Sequence, residues 1–169
     1  MKKLQVPYRK QFNNNACGPA VLEMVYEYYG YTNISQEEIL NQYKELEPHG
    51  SGNLRMITSS LIQDARKRGL SAGWARVNYS SLSDSIVVLK ILIENSRIPI
   101  IVCQKFSDQQ PQIGHFRIVI GVDEKYVYLN DPHPTLGGQD IQWSIEKFMD
   151  FWQPTGENVT GGVFCIIHK

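Results

Sequence analysis

The hydrophobic residues of this chain follow two different periods, one before and one after Pro99. Upstream, in segments such as the one that begins at Cys17, apolar side chains recur every three or four residues, which is typical of amphipathic helices. Downstream, short β-branched and aromatic runs alternate with turn residues, which is typical of strands. We therefore predict an α+β fold, with a mainly helical half over about residues 1–95 and a mostly antiparallel sheet over about residues 96–169.

Turn and capping residues define the expected elements. Gly30 and Gly69 follow helical patterns and are expected to end them, whereas Ser35 and Ser83 are expected to cap the helices that follow them. The predicted helices cover residues 17–29, 35–43, about 56–68, 83–95 and 144–152, and the predicted strands cover 71–77, 99–106, 115–123, 126–131 and 162–169.

Charge and hydropathy exclude several classes of function. Lys and Arg total 17, as do Asp and Glu, so the formal net charge is zero. A non-specific nucleic-acid binder is expected to be basic, and a membrane span needs about 20 apolar residues in succession; the chain has neither feature. The N-terminus also lacks the apolar segment of a secretory signal. We expect one cytoplasmic domain, with no nucleic-acid partner and no membrane span.

The three cysteines, Cys17, Cys103 and Cys165, form no CxxC pair. We therefore expect neither a disulfide framework nor a zinc site, and we assign no metal and no cofactor. Cys103 and Cys165 lie within apolar strands and are expected to be buried.

Cys17 stands where a helix begins, before Gly18 and Pro19, and the positive end of a helix favours a thiolate. A buried structural cysteine explains Cys17 alone equally well.

A nucleophilic thiol needs a base, and histidine is the usual one. Of the four histidines, His115 opens a predicted strand and so combines a rigid position with access to a cleft. His49 in a loop, His133 in a turn and His168 beside the C-terminus are weaker candidates. An ordinary polar residue at the end of a strand is the alternative explanation of His115.

An acceptor that orients the imidazole is expected on the next strand. If the strands on either side of "VDEK" form an antiparallel hairpin, His115 and Asp131 lie at similar distances from the turn and come together. A simple Asp-Pro turn also explains Asp131, and Asn130 is its neighbouring competitor, which alternation places on the other face. Gln11, six residues before Cys17, can supply an oxyanion donor together with the Cys17 backbone N–H.

These motifs together resemble a known family. Gln11, the "CGPA" that begins at Cys17, "GHFRIVIGVD" and "YVYLNDP" resemble, in order and spacing, the papain-like cysteine peptidases that cut bacteriocin leaders. These double-glycine peptidases occur as N-terminal domains of peptidase-containing ABC transporters and as freestanding relatives. The resemblance implies a papain-like fold, Cys17 as the nucleophile, His115 as the base and acid, Asp131 as the orienting carboxylate and Gln11 as the oxyanion donor. Ala16, where many transporter-linked members are acidic, favours the freestanding branch.

Three functions fit this pattern. The first is a thiol peptidase that cuts a peptide or protein substrate through a thioester, after a double-glycine leader motif, with a transporter or the leader itself as a docking partner. The second is a deamidase or acyltransferase that uses the same triad. The third is a peptide-binding module without turnover.

Overall fold

The computed structural model of the protein describes residues 2–46, 54–78, 82–109, 112–154 and 159–169, so the predicted loop that contains His49 lies outside the described residues. Within these ranges, no helix is both long enough and apolar enough to cross a bilayer. The helices are α1 (Cys17–Tyr28), α2 (Gln36–Tyr43), α3 (Thr58–Lys67), α4 (Leu82–Glu94) and α5 (Ile145–Trp152). The strands are β1 (Glu45–Leu46), β2 (Leu54–Arg55), β3 (Ser71–Arg76), β4 (Ile100–Lys105), β5 (Gly114–Val122), β6 (Tyr126–Asp131), β7 (Gly138–Ser144) and β8 (Val163–His168).

The predicted stop and cap residues act at three of four helix ends. Gly30 and Gly69 follow α1 and α3 with φ of 86° and 83°, a left-handed conformation that favours glycine. The Ser35 side chain accepts a hydrogen bond from a first-turn N–H of α2, as expected of a cap. The prediction for Ser83 was wrong, because α4 already begins at Leu82 and Ser83 lies inside the helix.

The main sheet has six strands in the order β3-β8-β4-β5-β6-β7, and every neighbouring pair is antiparallel. The predicted α+β class is therefore confirmed, with β3 from the helical half forming one edge. Strand β7, at the other edge, was not predicted. Its sequence is polar and its side chains are exposed or half-buried, so it lacks the apolar run that identifies an inner strand. The short pair β1 and β2 was also not predicted.

The core lies where the helices pack on this sheet: α1 and α4 contact β5, α3 contacts β3 and α5 contacts β4. Helix α5 contributes Phe148 and Trp152, both fully buried, with ring centres 5.3 Å apart. The Trp152 indole N–H donates to the carbonyl of Val163 at 2.9 Å, so its one polar atom is satisfied inside the core. This packing anchors α5 to the start of β8.

Replacing Trp152 with Ala is expected to lower the free energy of unfolding by about 3–5 kcal/mol, because it removes a buried ring and leaves a cavity. Trp74 is the matched control, since its side chain is 53% exposed. Trp74→Ala is expected to change the free energy by less than about 0.5 kcal/mol. Denaturant unfolding of both variants measures the difference, and equal losses would contradict this packing.

Candidate active site

Cys17 is the first residue of α1, and only 4% of its surface is exposed. The N-cap residue Ala16 makes no side-chain cap, so the positive end of the helix lies uncompensated beside the thiol. A β-carbon on Gly18 would lie 3.0 Å from the Met56 β-carbon, which is closer than an ordinary van der Waals contact. Gly18 thus allows the segment after β2 to pack against the start of the helix.

His115 and Asp131 are brought together by the β5–β6 hairpin. His115 Nε2 lies 2.7 Å from Asp131 Oδ1, and both residues are almost fully buried. Asn130 instead donates to the carbonyl of Val6 and accepts from the N–H of Asp140, so it is not part of this contact.

A register shift in the hairpin determines this contact. Near the turn, Val122 pairs with Val127, and continuing that register would place Asp131 opposite Ile118, on the other face from His115. The shift between Val119 and Gly121 instead pairs Ile118 with Asn130 and moves Asp131 opposite Arg117. Arg117 is two residues from His115 on the same face, so the bulge aligns the two side chains.

The Cys17 thiol lies close enough to the His115 side chain and to the Phe116 backbone N–H for both to lower its pKa. Because Asp131 engages Nε2 of the imidazole, Nδ1 is the nitrogen left for the thiol. The structure therefore brings Cys17, His115 and Asp131 together, from the helix start to the end of β6. Such an arrangement can activate a thiol and hold its base in one orientation.

Electrostatics favour the charged forms of all three groups. Burial by itself raises the pKa of Cys17, but the hydrogen bond and charge of His115, the Phe116 N–H and the charge of Arg55 together lower it. For His115, burial and the Arg117 charge lower the pKa, whereas Asp131 and Cys17 raise it and prevail. Both shifts favour a thiolate and an imidazolium over the neutral pair.

The same balance holds for Asp131. Burial raises its pKa, but the hydrogen bond and charge of His115 and the charge of Arg117 hold it well below the usual range of a carboxyl group. Asp131 therefore stays a carboxylate and stabilises the imidazolium.

The other two cysteines differ from Cys17. Burial raises the pKa of Cys103 to about 12, and burial also raises that of Cys165. Cys165 is buried as predicted, whereas Cys103 is only partly buried. Unlike Cys17, neither thiol has its pKa lowered by the imidazole side chain of His115.

Gln11 lies beside the end of β6, where its backbone N–H donates to the carbonyl of Pro132 at 2.9 Å. Its side chain is buried and lines a cavity of about 330 Å³ together with His115. Nε2 donates to the carbonyl of Asn13 at 2.8 Å, and Oε1 has no hydrogen-bond partner within the described part of the chain. The amide is therefore at the cavity, with one of its two hydrogens already engaged.

Three residues of the site were missed from the sequence. His133 was set aside as a turn residue, yet its ring centre lies 6.3 Å from that of His115, and Phe106 packs against both rings. Arg117 could have been found by strand alternation, since it shares a face with His115. Arg55 comes from a different part of the chain, and no local pattern indicates its charge near Cys17.

Comparisons with known proteins identify the family and the fold of the chain. Residues 3–160 match the model of the Peptidase_C39 like family. The fold is similar to the peptidase domain of Streptococcus ComA, a bi-functional ABC transporter involved in quorum sensing (TM-score 0.64, 20% identity, 99% of this chain and 98% of that one). It is also similar to a double glycine motif protease from an AMS/PCAT transporter in complex with the leader peptide. The TM-score is 0.63 and the sequence identity 22%, over 98% of this chain and 93% of that one. A third similar structure is that of a Bacillus anthracis protein described as a C39-like peptidase. The TM-score is 0.68 and the sequence identity 18%, over 100% of this chain and 98% of that one. No curated protein matches the sequence significantly.

Cys17 is expected to react with iodoacetamide faster than Cys103 or Cys165 at pH values well below the usual pKa of a thiol, because only its pKa is lowered. His115→Ala is expected to slow this reaction, because it removes the imidazole that lowers the pKa of Cys17 against the effect of burial. His168→Ala serves as the control histidine. Mass spectrometry locates the alkylated residue, and equal alkylation of Cys17 and Cys103 would contradict the assignment.

Proposed function

The chain belongs to the Peptidase_C39 like family, and we propose that it is a cysteine peptidase with Cys17 as the nucleophile. The observation that carries the proposal is that His115 lies 2.7 Å from Asp131 and acts on the Cys17 thiol, whose pKa it lowers. A thiol at a helix start, a base beside it and a carboxylate that orients the base are what acyl transfer through a thioester needs.

In the first half of the proposed reaction, the Cys17 thiolate attacks the carbonyl carbon of the scissile peptide bond. The π electrons move to the carbonyl oxygen, and a tetrahedral oxyanion forms. When this intermediate collapses, the C–N bond breaks and the His115 imidazolium gives its proton to the departing amine. The products of this half are a free amine and a thioester on Cys17.

Gln11 is proposed to stabilise the oxyanion together with the Cys17 backbone N–H. The support is its position: the Gln11 amide lines the same cavity as His115, and its backbone bond to Pro132 ties it to the hairpin end that carries Asp131. One amide hydrogen serves Asn13, and the second is proposed to serve the oxyanion.

In the second half, His115 takes a proton from water, and the resulting hydroxide attacks the thioester carbon. The C–S bond then breaks, releasing the carboxylic acid and restoring the Cys17 thiolate with a protonated His115. Asp131 stays ionised throughout and holds the imidazole in place.

The proposed substrate is a peptide or protein with a leader that ends in two glycines. The support is the likeness to the double glycine motif protease, together with a cavity of about 330 Å³ at His115. A transporter or the leader itself is the proposed docking partner. We further propose a cytoplasmic location, because the reaction needs a reduced Cys17 and all three cysteines are free.

Peptides with a leader that ends in Gly-Gly are expected to be cut after the second glycine by the wild-type protein and not by Cys17→Ala. Cys103→Ala is the matched cysteine control and is expected to retain activity. Product masses decide the reaction type, because deamidation leaves the peptide chain intact and acyl transfer joins it to the added amine. Intact peptides across a broad panel, at the level of Cys17→Ala, would refute the peptidase.

Gln11→Ala is expected to reduce kcat by about 10²–10³-fold, the usual cost of losing one oxyanion donor. Gln36→Ala is the matched control, since the Gln36 side chain bonds the same N-terminal segment at Lys10 and Phe12 without lining the cavity. Steady-state kinetics of both variants separate the two effects. A similar loss in both would mean that Gln11 acts only by holding the segment.

A further inference from the structure

We propose that Arg117 is a positioning residue of this site, which fixes the Asp131 carboxylate in the orientation that holds His115. The effect on turnover rests on the proposed function, whereas the effect on His115 is measurable without any substrate. Arg117 lies two residues after His115 on β5, and its side chain is only 3% exposed.

Each carboxylate oxygen of Asp131 contacts a different residue, His115 or Arg117. His115 Nε2 lies 2.7 Å from Oδ1, and Arg117 Nε donates to Oδ2 at 2.6 Å. The carboxylate cannot rotate without breaking one of two charge-assisted contacts. Arg117 therefore determines the orientation in which Asp131 holds the imidazole.

The guanidinium of Arg117 is itself held on several sides. Nη1 donates to the carbonyl of Lys105 at 3.1 Å and to Gln104 Oε1 at 3.4 Å, and Nη2 donates to the carbonyl of Phe106 at 3.0 Å. The guanidinium carbon lies 4.8 Å from the centre of the Trp143 ring. A single ammonium cannot reproduce this planar fork, so the geometry favours arginine over lysine.

Among the four almost fully buried groups of the site, the charged forms that the pKa shifts favour balance when Arg117 is counted. Cys17 and Asp131 are negative, and His115 and Arg117 are positive. Burial lowers the pKa of Arg117 and Asp131 opposes this, but a guanidinium stays protonated in proteins. Without Arg117, the negative charge of this buried cluster would be balanced only by the half-buried Arg55 near Cys17, which leaves Asp131 with one cationic partner fewer away from water.

Arg117 and Asp131 act on His115 in opposite directions. Burial and the Arg117 charge lower the pKa of His115, while the Asp131 hydrogen bond raises it. If Arg117 is removed, the pull of Asp131 is unopposed and the imidazolium holds its proton more tightly. That change slows the proton transfer to the departing amine.

Other charged or titratable groups around His115 stay in place when Arg117 is changed. Cys17 on α1 raises the pKa of His115, and Arg55 on β2 places a positive charge near Cys17. Cys103 on β4 is held as a neutral thiol by burial. His133, after β6, has a pKa lowered by burial and by the charge of His115, which favours its neutral form.

The first test is an NMR titration of the four histidines in the wild type and in Arg117→Met, with His115 assigned from the spectrum of His115→Gln. Arg117→Met is expected to raise the pKa of His115, and Arg117→Lys is expected to raise it less because the charge remains. Arg68→Met is the control, since Arg68 pairs with the buried Asp64 through Nε at 2.8 Å, outside this site. An unchanged His115 titration in Arg117→Met would overturn the proposal.

The second test is a double-mutant cycle with Asp131→Asn, read as peptide turnover. Arg117→Met alone is expected to reduce kcat by about tenfold or more with little change in KM, the scale on which supporting partners act at other sites. In the Asp131→Asn background the same change is expected to cost little, because Arg117 acts through Asp131. Equal losses in both backgrounds would overturn the positioning role.

Two further measurements decide the role of Arg117 if Arg117→Met fails to fold or if no peptide is cut. If Arg117→Met does not fold, Arg117→Met/Asp131→Asn leaves no unpaired buried ion, and its His115 pKa is compared with that of Asp131→Asn alone. A higher pKa without the arginine supports the proposal, and an equal one refutes it. If no peptide is cut by the wild type, the peptidase assignment fails while the titration still decides the effect of Arg117 on His115.

Discussion

The carboxylate of Asp131 is the group on which the arrangement of the site depends, because separate segments of the chain bond to this one residue. His115 and Arg117 of β5 engage its two oxygens, and the backbone N–H of His133 donates to Oδ1 at 2.9 Å. The Tyr8 hydroxyl donates to its backbone carbonyl at 3.0 Å. A buried carboxylate with this many donors stays ionised and keeps one orientation, so the imidazole it holds is also fixed.

The N-terminal segment links this carboxylate to the thiol. Leu4 donates to the carbonyl of Ile120, and Gln11 donates to that of Pro132, so the segment runs beside the hairpin before it enters α1. This path brings the start of α1 to the strand end that carries His115. The fold therefore places the start of α1 beside the end of β5. The helix start supplies positive electrostatic potential to the thiol, and the strand holds the base in a rigid position.

Local chemistry explains what could be predicted from the sequence. The "CGP" at a helix start indicated Cys17, and a strand-turn-strand pattern indicated that His115 and Asp131 meet. The register shift before Gly121, which puts them on one face, was not predictable, because a bulge depends on contacts across the sheet and with other segments. Strand β7 was missed because an edge strand needs no apolar run, and Arg55 was missed because its place near Cys17 depends on how distant segments pack.

The central claim is that Cys17 carries an acyl group derived from the substrate. The most direct measurement is the intact mass of the protein after rapid acid quenching of a reaction with a leader peptide, followed by mapping of the modified residue. We predict a thioester on Cys17 whose added mass equals that of the released leader fragment minus one water, and no such adduct in Cys17→Ala. Peptide cleavage without any adduct on Cys17, or with an adduct on another residue, would contradict the account.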